Sequence, residues 1–139
     1  VPGITGYFDT NYQGKAEYAL KALDDHDFVL VHIEPTDEAG HMGDVQKKIE
    51  AIEDTDRLVV GTLLEGLKRR NEPFAVMVVP DHPTSVALKT HINEPVPFAI
   101  HATNGPQDAV TSYSESAVRA STLRFPEGFQ LMSYFLQHN

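Results

Sequence analysis

Two apolar runs limit the folds open to this chain: Phe28-Val29-Leu30-Val31-His32-Ile33 and Phe74-Ala75-Val76-Met77-Val78-Val79. Both are rich in β-branched residues and lack polar alternation, the pattern of strands covered on both faces in a parallel sheet. Between them Val45, Ile49, Ile52, Val59, Val60, Leu63, Leu64 and Leu67 recur at helical spacing, which predicts a long helix from an Asp44 N-cap to about Arg70. Lys68-Arg69-Arg70 suits a helix C-terminus, and Asn71 and Pro73 end the helix. Strand, helix and strand make a βαβ unit, and the fold class is α/β. Phe98-Ala99-Ile100 reads as a third, shorter strand. Ala16, Ala19, Leu20 and Leu23 mark a helix before the first strand, 116–120 a short helix, and 127–136 a terminal one. Residues 1–14 read as a loop, and no repeat or linker interrupts 1–139, so the chain reads as one domain.

Composition narrows the function. The formal net charge is −9, and the one basic cluster is Lys68-Arg69-Arg70. Nucleic-acid binding is not expected, because neutralising phosphates needs an organised positive surface. No apolar stretch approaches the ~20 residues that span a bilayer, so no membrane partner is expected. Absence of cysteine removes disulfide and thiolate chemistry and agrees with a reducing, cytoplasmic setting. Val1-Pro2-Gly3 reads like the middle of a longer chain.

The chemistry-bearing residues follow the two runs. Asp37 and His41 lie in residues 34–43, read as a loop, Asp81 and His82 come straight after the second run, and His91 lies in the loop beyond. Ligands of parallel α/β sheets bind outside the carboxyl ends of the strands, so the loops are expected on one rim, with 83–95 folding back to bring His91 to it. Carboxylates with neutral imidazoles replace the hydration shell of a divalent cation. Singly, an Asp-x-x-x-His pair and an Asp-His dipeptide are common by chance, and a turn-forming Asp37 with a solvated His41 is the bland alternative. The clusters' shared position after strands, with a third histidine near, favours a metal site. Glu34 and Glu38 read as supporting contacts or loop solvation. His32 reads as a sheet-face or core histidine, and His26, His101 and His138 as surface. Thr84 and Ser85 are near enough to suggest a nucleophile, but nothing marks either. Glu50, Glu53, Asp54 and Asp56 read as a solvated helix face.

Thr36-Asp37-Glu38-Ala39-Gly40-His41, Pro80-Asp81-His82-Pro83-Thr84 and Thr90-His91-Ile92-Asn93-Glu94-Pro95-Val96-Pro97-Phe98 resemble the C-terminal half of cofactor-independent (2,3-bisphosphoglycerate-independent) phosphoglycerate mutase, archaeal-type branch, in the alkaline phosphatase superfamily. The opening Gly3-Ile4-Thr5-Gly6-Tyr7-Phe8-Asp9-Thr10-Asn11-Tyr12-Gln13-Gly14-Lys15 is similar to that branch too. The resemblance implies a three-layer α/β/α domain with a mainly parallel sheet, present in part. It implies two divalent ions, usually manganese and sometimes magnesium or zinc. Asp37, His41 and His91 would hold one, and Asp81 and His82 the other. The implied reaction interconverts 3-phosphoglycerate and 2-phosphoglycerate through a phosphoserine or phosphothreonine.

The family's nucleophile and a further aspartate ligand have no counterpart here. Residues 1–139 are therefore expected to be the C-terminal, metal-binding portion of a longer enzyme, inactive alone and weak in holding metal. The surface left by the missing part would be open to self-association. Two alternatives stay open: a phosphatase or mutase of the same superfamily acting on another phosphate ester, as in members named homoserine kinase-like, and a non-catalytic module that binds a metal or a partner.

Overall fold

The computed structural model describes residues 1–138, with side chains through Gln137, so the surface reading of His138 lies outside the described side chains. Where the sequence reads as one domain, the chain divides into two compact units. The first joins Val1–Glu72 to Pro83–Asn93, and the second takes Pro73–His82 and the residues from Glu94 onward.

The first unit is mainly helical: α1 (Tyr12–Ala22), α2 (Pro35–Met42), α3 (Val45–Asp54) and α4 (Gly61–Arg70), with a small hairpin of β2 (Thr84–Ser85) and β3 (Thr90–His91). Asn11 caps α1 by accepting from the Gly14 N–H, so the helix starts earlier than the loop read over 1–14 allows. Arg70 serves the other end of α1, donating to the carbonyls of Leu20 (3.1 Å) and Leu23 (3.2 Å) and pairing with Asp24 at 2.8 Å. Asp44 caps α3 as predicted, accepting from the Lys47 N–H at 3.0 Å.

The long helix predicted to Arg70 forms, but a π-helical stretch, Thr55–Val60, separates α3 from α4. The Thr55 hydroxyl donates back to the Ala51 carbonyl at 2.7 Å, a bond that bends helices. The wider turn re-phases the side chains. Val59 and Leu67 are buried, whereas Val45, Ile49 and Ile52 from the same sequence stripe are exposed. Tyr12, Ala16 and Val59 form the core, with Val31, Ile33, Leu58 and Leu63 against it.

Residues 28–33 take no strand pairing among the described residues. A strand is stabilised by a ladder on its edges, and this segment has no partner here. Leu30 is 69% exposed, and residues 29–32 border an open groove of about 450 Å³ with α1. His32 is correspondingly not the satisfied sheet-face histidine expected. It is exposed, with its Nδ1 3.3 Å from Glu34 Oε1.

The second unit is built on β1 (Ala75–Val78) and β4 (Ala99–Ala102), paired antiparallel with Ala75 opposite Ala102 and Val78 opposite Ala99. Both predicted strands are present. The predicted parallel pairing is not: both ladders among the described residues are antiparallel. A 3₁₀ turn at Ala117–Ala120 and α5 (Phe129–His138) occupy the two predicted C-terminal helices. Rings of Phe98, Phe125 and Tyr134 meet in a tilted series, with centroids 5.7 and 5.2 Å apart. His101 is exposed, its ring 5.6 Å from that of Phe74.

Candidate metal centre

The segment read as a loop over residues 34–43 is α2. Pro35 stands at its first turn, Asp37 and Glu38 favour its N-terminus, and Gly43 ends it in the left-handed region at φ 74°. The helix changes what the spacing means. Residues four apart share a helix face, so Asp37 and His41 meet by local geometry, with His41 Nε2 3.3 Å from Asp37 Oδ2.

His91 arrives from the hairpin. Thr84 pairs with His91 across the ladder, and residues directly opposite project to the same face. The connecting turn is closed by the Lys89 N–H donating to the Ser85 carbonyl at 2.7 Å, with Lys89 itself at φ 54°. His91 Nε2 lies 3.3 Å from Asp37 Oδ1 and 3.1 Å from His41 Nε2. The rings of His41 and His91 are tilted, their centroids 4.9 Å apart. The fold-back expected of 83–95 thus occurs, and Asp37, His41 and His91 converge.

Neighbours fix the trio. His41 Nδ1 is 3.1 Å from the Lys89 carbonyl oxygen, a contact that suits a proton on Nδ1 and leaves Nε2 on the side of Asp37 and His91. The Thr84 hydroxyl donates to Asp37 Oδ1. Lys48 donates to the Thr84 carbonyl at 2.7 Å. Glu34 and Glu38 lie beside Asp37, close enough that one oxygen from each of the three carboxylates falls within 4.8 Å of the others. They deepen the negative potential there.

Asp81 and His82 follow β1 in the second unit. Asp81 accepts from the His82 N–H at 3.0 Å, and its Oδ2 is 3.4 Å from His82 Nε2. Asp81 is exposed and His82 half-buried. Sequence reasoning passed over Lys48, Lys89 and the hydroxyl of Thr84 as parts of the site. Nothing local marks them, because each acts on a residue 36 to 48 positions away.

A carboxylate and two imidazole nitrogens facing one another at 3.1–3.3 Å is an arrangement that a cation completes. The profile of the Metalloenzyme superfamily matches residues 1–125. The chain belongs to the Metalloenzyme superfamily. Its fold is the alkaline phosphatase-like fold of that superfamily, mixed in helices and strands and present as a partial domain. It is 42% identical to the 2,3-bisphosphoglycerate-independent phosphoglycerate mutase of Methanosarcina mazei, covering 99% of this chain and 35% of that protein. To the enzyme of the same name from Methanopyrus kandleri it is 48% identical, covering 94% of this chain and 30% of that one. The PH0037 protein from Pyrococcus horikoshii superposes with a TM-score of 0.76 at 34% identity, over 85% of this chain and 35% of that one. The chain therefore spans about a third of the length of the relatives it matches.

Superfamily membership implies divalent metal binding, and the residues present fit it. Asp37 would offer anionic oxygen and His41 and His91 would offer nitrogen, with the Lys89 carbonyl behind His41 Nδ1 leaving its Nε2 toward the other two.

Proposed function

We propose that residues 1–139 are the metal-holding C-terminal portion of the catalytic domain of a 2,3-bisphosphoglycerate-independent phosphoglycerate mutase. The convergence of Asp37, His41 and His91 carries this reading, supported by 40–48% identity to enzymes of that name. In the proposed enzyme Asp37, His41 and His91 hold one divalent ion, and Asp81 with His82 hold a second. Manganese is the proposed metal because the resemblance to that family implies it, with magnesium or zinc as the other ions it implies. When bound, such ions offset charge on a transferring phosphoryl group and polarise it. Asp37 is kept in place by Thr84, and His41 by Lys89, so the donors are set before the cation arrives.

The substrates proposed are 3-phosphoglycerate and 2-phosphoglycerate, and the setting is cytoplasmic glycolysis or gluconeogenesis. No helix among the described residues is long and apolar enough to cross a membrane. The attacking serine or threonine is assigned to the part of the enzyme outside these residues, so the isolated chain should not interconvert the phosphoglycerates. Exposure of Val45, Ile49, Ile52 and Leu30 supports a face covered by that other part, and open to self-association without it.

The test compares the isolated chain with the longer protein that contains it, each supplied with Mn²⁺ and 3-phosphoglycerate, with 2-phosphoglycerate measured by coupled dehydration. Activity is expected in the longer protein alone. Asp37→Ala and His82→Ala in that protein are expected to lower metal content, read by elemental analysis. Release of inorganic phosphate without 2-phosphoglycerate would replace the mutase reading by a phosphatase. Unchanged metal content in both variants would make the clusters structural.

A further inference from the structure

Thr84 is a buried polar residue whose hydroxyl meets the candidate centre. The residue is 7% exposed, and a hydroxyl so buried needs a partner, which its donation to Asp37 Oδ1 supplies. Its backbone is fixed from three directions. The Lys48 ammonium donates to its carbonyl at 2.7 Å, the ladder sets it opposite His91, and α2 passes so close that a Cβ at Gly40 would lie 2.7 Å from its Cγ2. The donor is therefore held in place where it meets Asp37 Oδ1.

This makes the two oxygens of Asp37 unequal. Oδ1 accepts from Thr84 on one side and stands 3.3 Å from His91 Nε2, while Oδ2 stands 3.3 Å from His41 Nε2. An oxygen already accepting from a hydroxyl has one lone-pair site fewer to offer a cation. We propose that Thr84 is a positioning residue that restricts Asp37 to one-oxygen coordination through Oδ2, and thereby selects manganese-sized ions over calcium. Calcium takes six to eight oxygens and commonly both oxygens of a carboxylate. A carboxylate with one oxygen engaged by a hydroxyl, beside two imidazoles, serves it poorly.

The inference rests on the metal reading of Asp37, His41 and His91, and its test separates the two. Mn²⁺ and then Ca²⁺ are titrated by calorimetry into the longer protein that contains these residues, freed of metal, as wild type, Thr84→Val and Thr84→Ser, with thermal melts recorded without metal. Thr84→Val keeps the shape and removes the donor. Its Mn²⁺ affinity is expected to fall about ten- to hundredfold, the loss seen when groups supporting metal ligands are removed. Its Ca²⁺ affinity should fall less, so that the preference narrows, and Thr84→Ser should restore both. Failure of the wild type to bind Mn²⁺ overturns the metal reading and the inference together. Wild-type binding with an unchanged Mn²⁺ to Ca²⁺ ratio in Thr84→Val overturns the inference alone. A lower metal-free melting temperature with that ratio unchanged means a purely structural threonine. Should Thr84→Val not fold, Thr84→Ala is compared with Thr84→Ser, and equal ratios in those two overturn it.

Discussion

Gly40 is where helix preference and site geometry oppose each other, which makes Gly40→Ala a direct test of the close approach between α2 and the hairpin. In a helix interior alanine is favoured over glycine by about 1 kcal/mol, so the change should stabilise if nothing stood in the way. Something does. The new Cβ would lie 2.7 Å from Thr84 Cγ2 and 2.9 Å from both the Thr84 Cβ and its carbonyl oxygen. Ordinary contact begins near 3.4 Å, so helix and hairpin must separate by about 0.7 Å, the difference between 3.4 and 2.7. A rotamer change cannot relieve this, because a backbone oxygen is among the atoms met. Overpacking of this kind costs about 1–3 kcal/mol. Set against the helix gain of about 1 kcal/mol, the net is a destabilisation of about 0–2 kcal/mol. The displacement falls on the Thr84–Asp37 bond, so Mn²⁺ affinity should drop even where stability hardly changes. Urea denaturation and Mn²⁺ titration of the same preparation read the two effects. A variant more stable by about 1 kcal/mol with unaltered Mn²⁺ affinity would refute the close approach.

Two other measurements test the surrounding structure. Asp44→Ala removes the acceptor for the Lys47 N–H and should cost about 1 kcal/mol in urea denaturation, whereas Asp44→Ser should recover most of it. Tyr113 donates to the Pro97 carbonyl at 3.0 Å, and its pKa is pushed up from 10.0 to about 12, first by burial and then by Glu115. The unfolded chain loses this proton near pH 10 and the folded chain near pH 12, so the contribution to stability is complete below pH 10 and is lost as pH rises from 10 to 12. Tyr113 is 47% exposed, and screening by solvent reduces the size of the effect. Tyr113→Phe should flatten the decline measured by denaturation across that window, and an unchanged slope would assign the decline elsewhere.

Local signals were readable and held. The Asp44 cap and the basic end at Arg70 depend on neighbours in sequence, and the strands at Ala75–Val78 and Ala99–Ala102 fall on the apolar runs read as strands. The helix at Pro35–Met42 was missed although its signals were present, with a proline at the start, acids in the first turn and a glycine after the end. A cluster of polar residues between apolar runs outweighed them. The π-helical stretch at Thr55–Val60 was not read from the sequence, and the apolar stripe that crosses it is buried at Val59 and Leu67 and exposed at Val45, Ile49 and Ile52.

By itself the sequence singled out Asp37, His41, Asp81, His82 and His91 as candidate cation ligands and set Asp37 and His41 four residues apart, a spacing that gained its meaning only from the helix. Tertiary structure decided that His91 joins them, that Thr84, Lys48 and Lys89 hold them, and that 28–33 goes without a ladder here. The physical reason is range. Capping and periodicity are settled within a few residues, whereas His41 and His91 meet across 50 residues and a ladder depends on a partner strand being present.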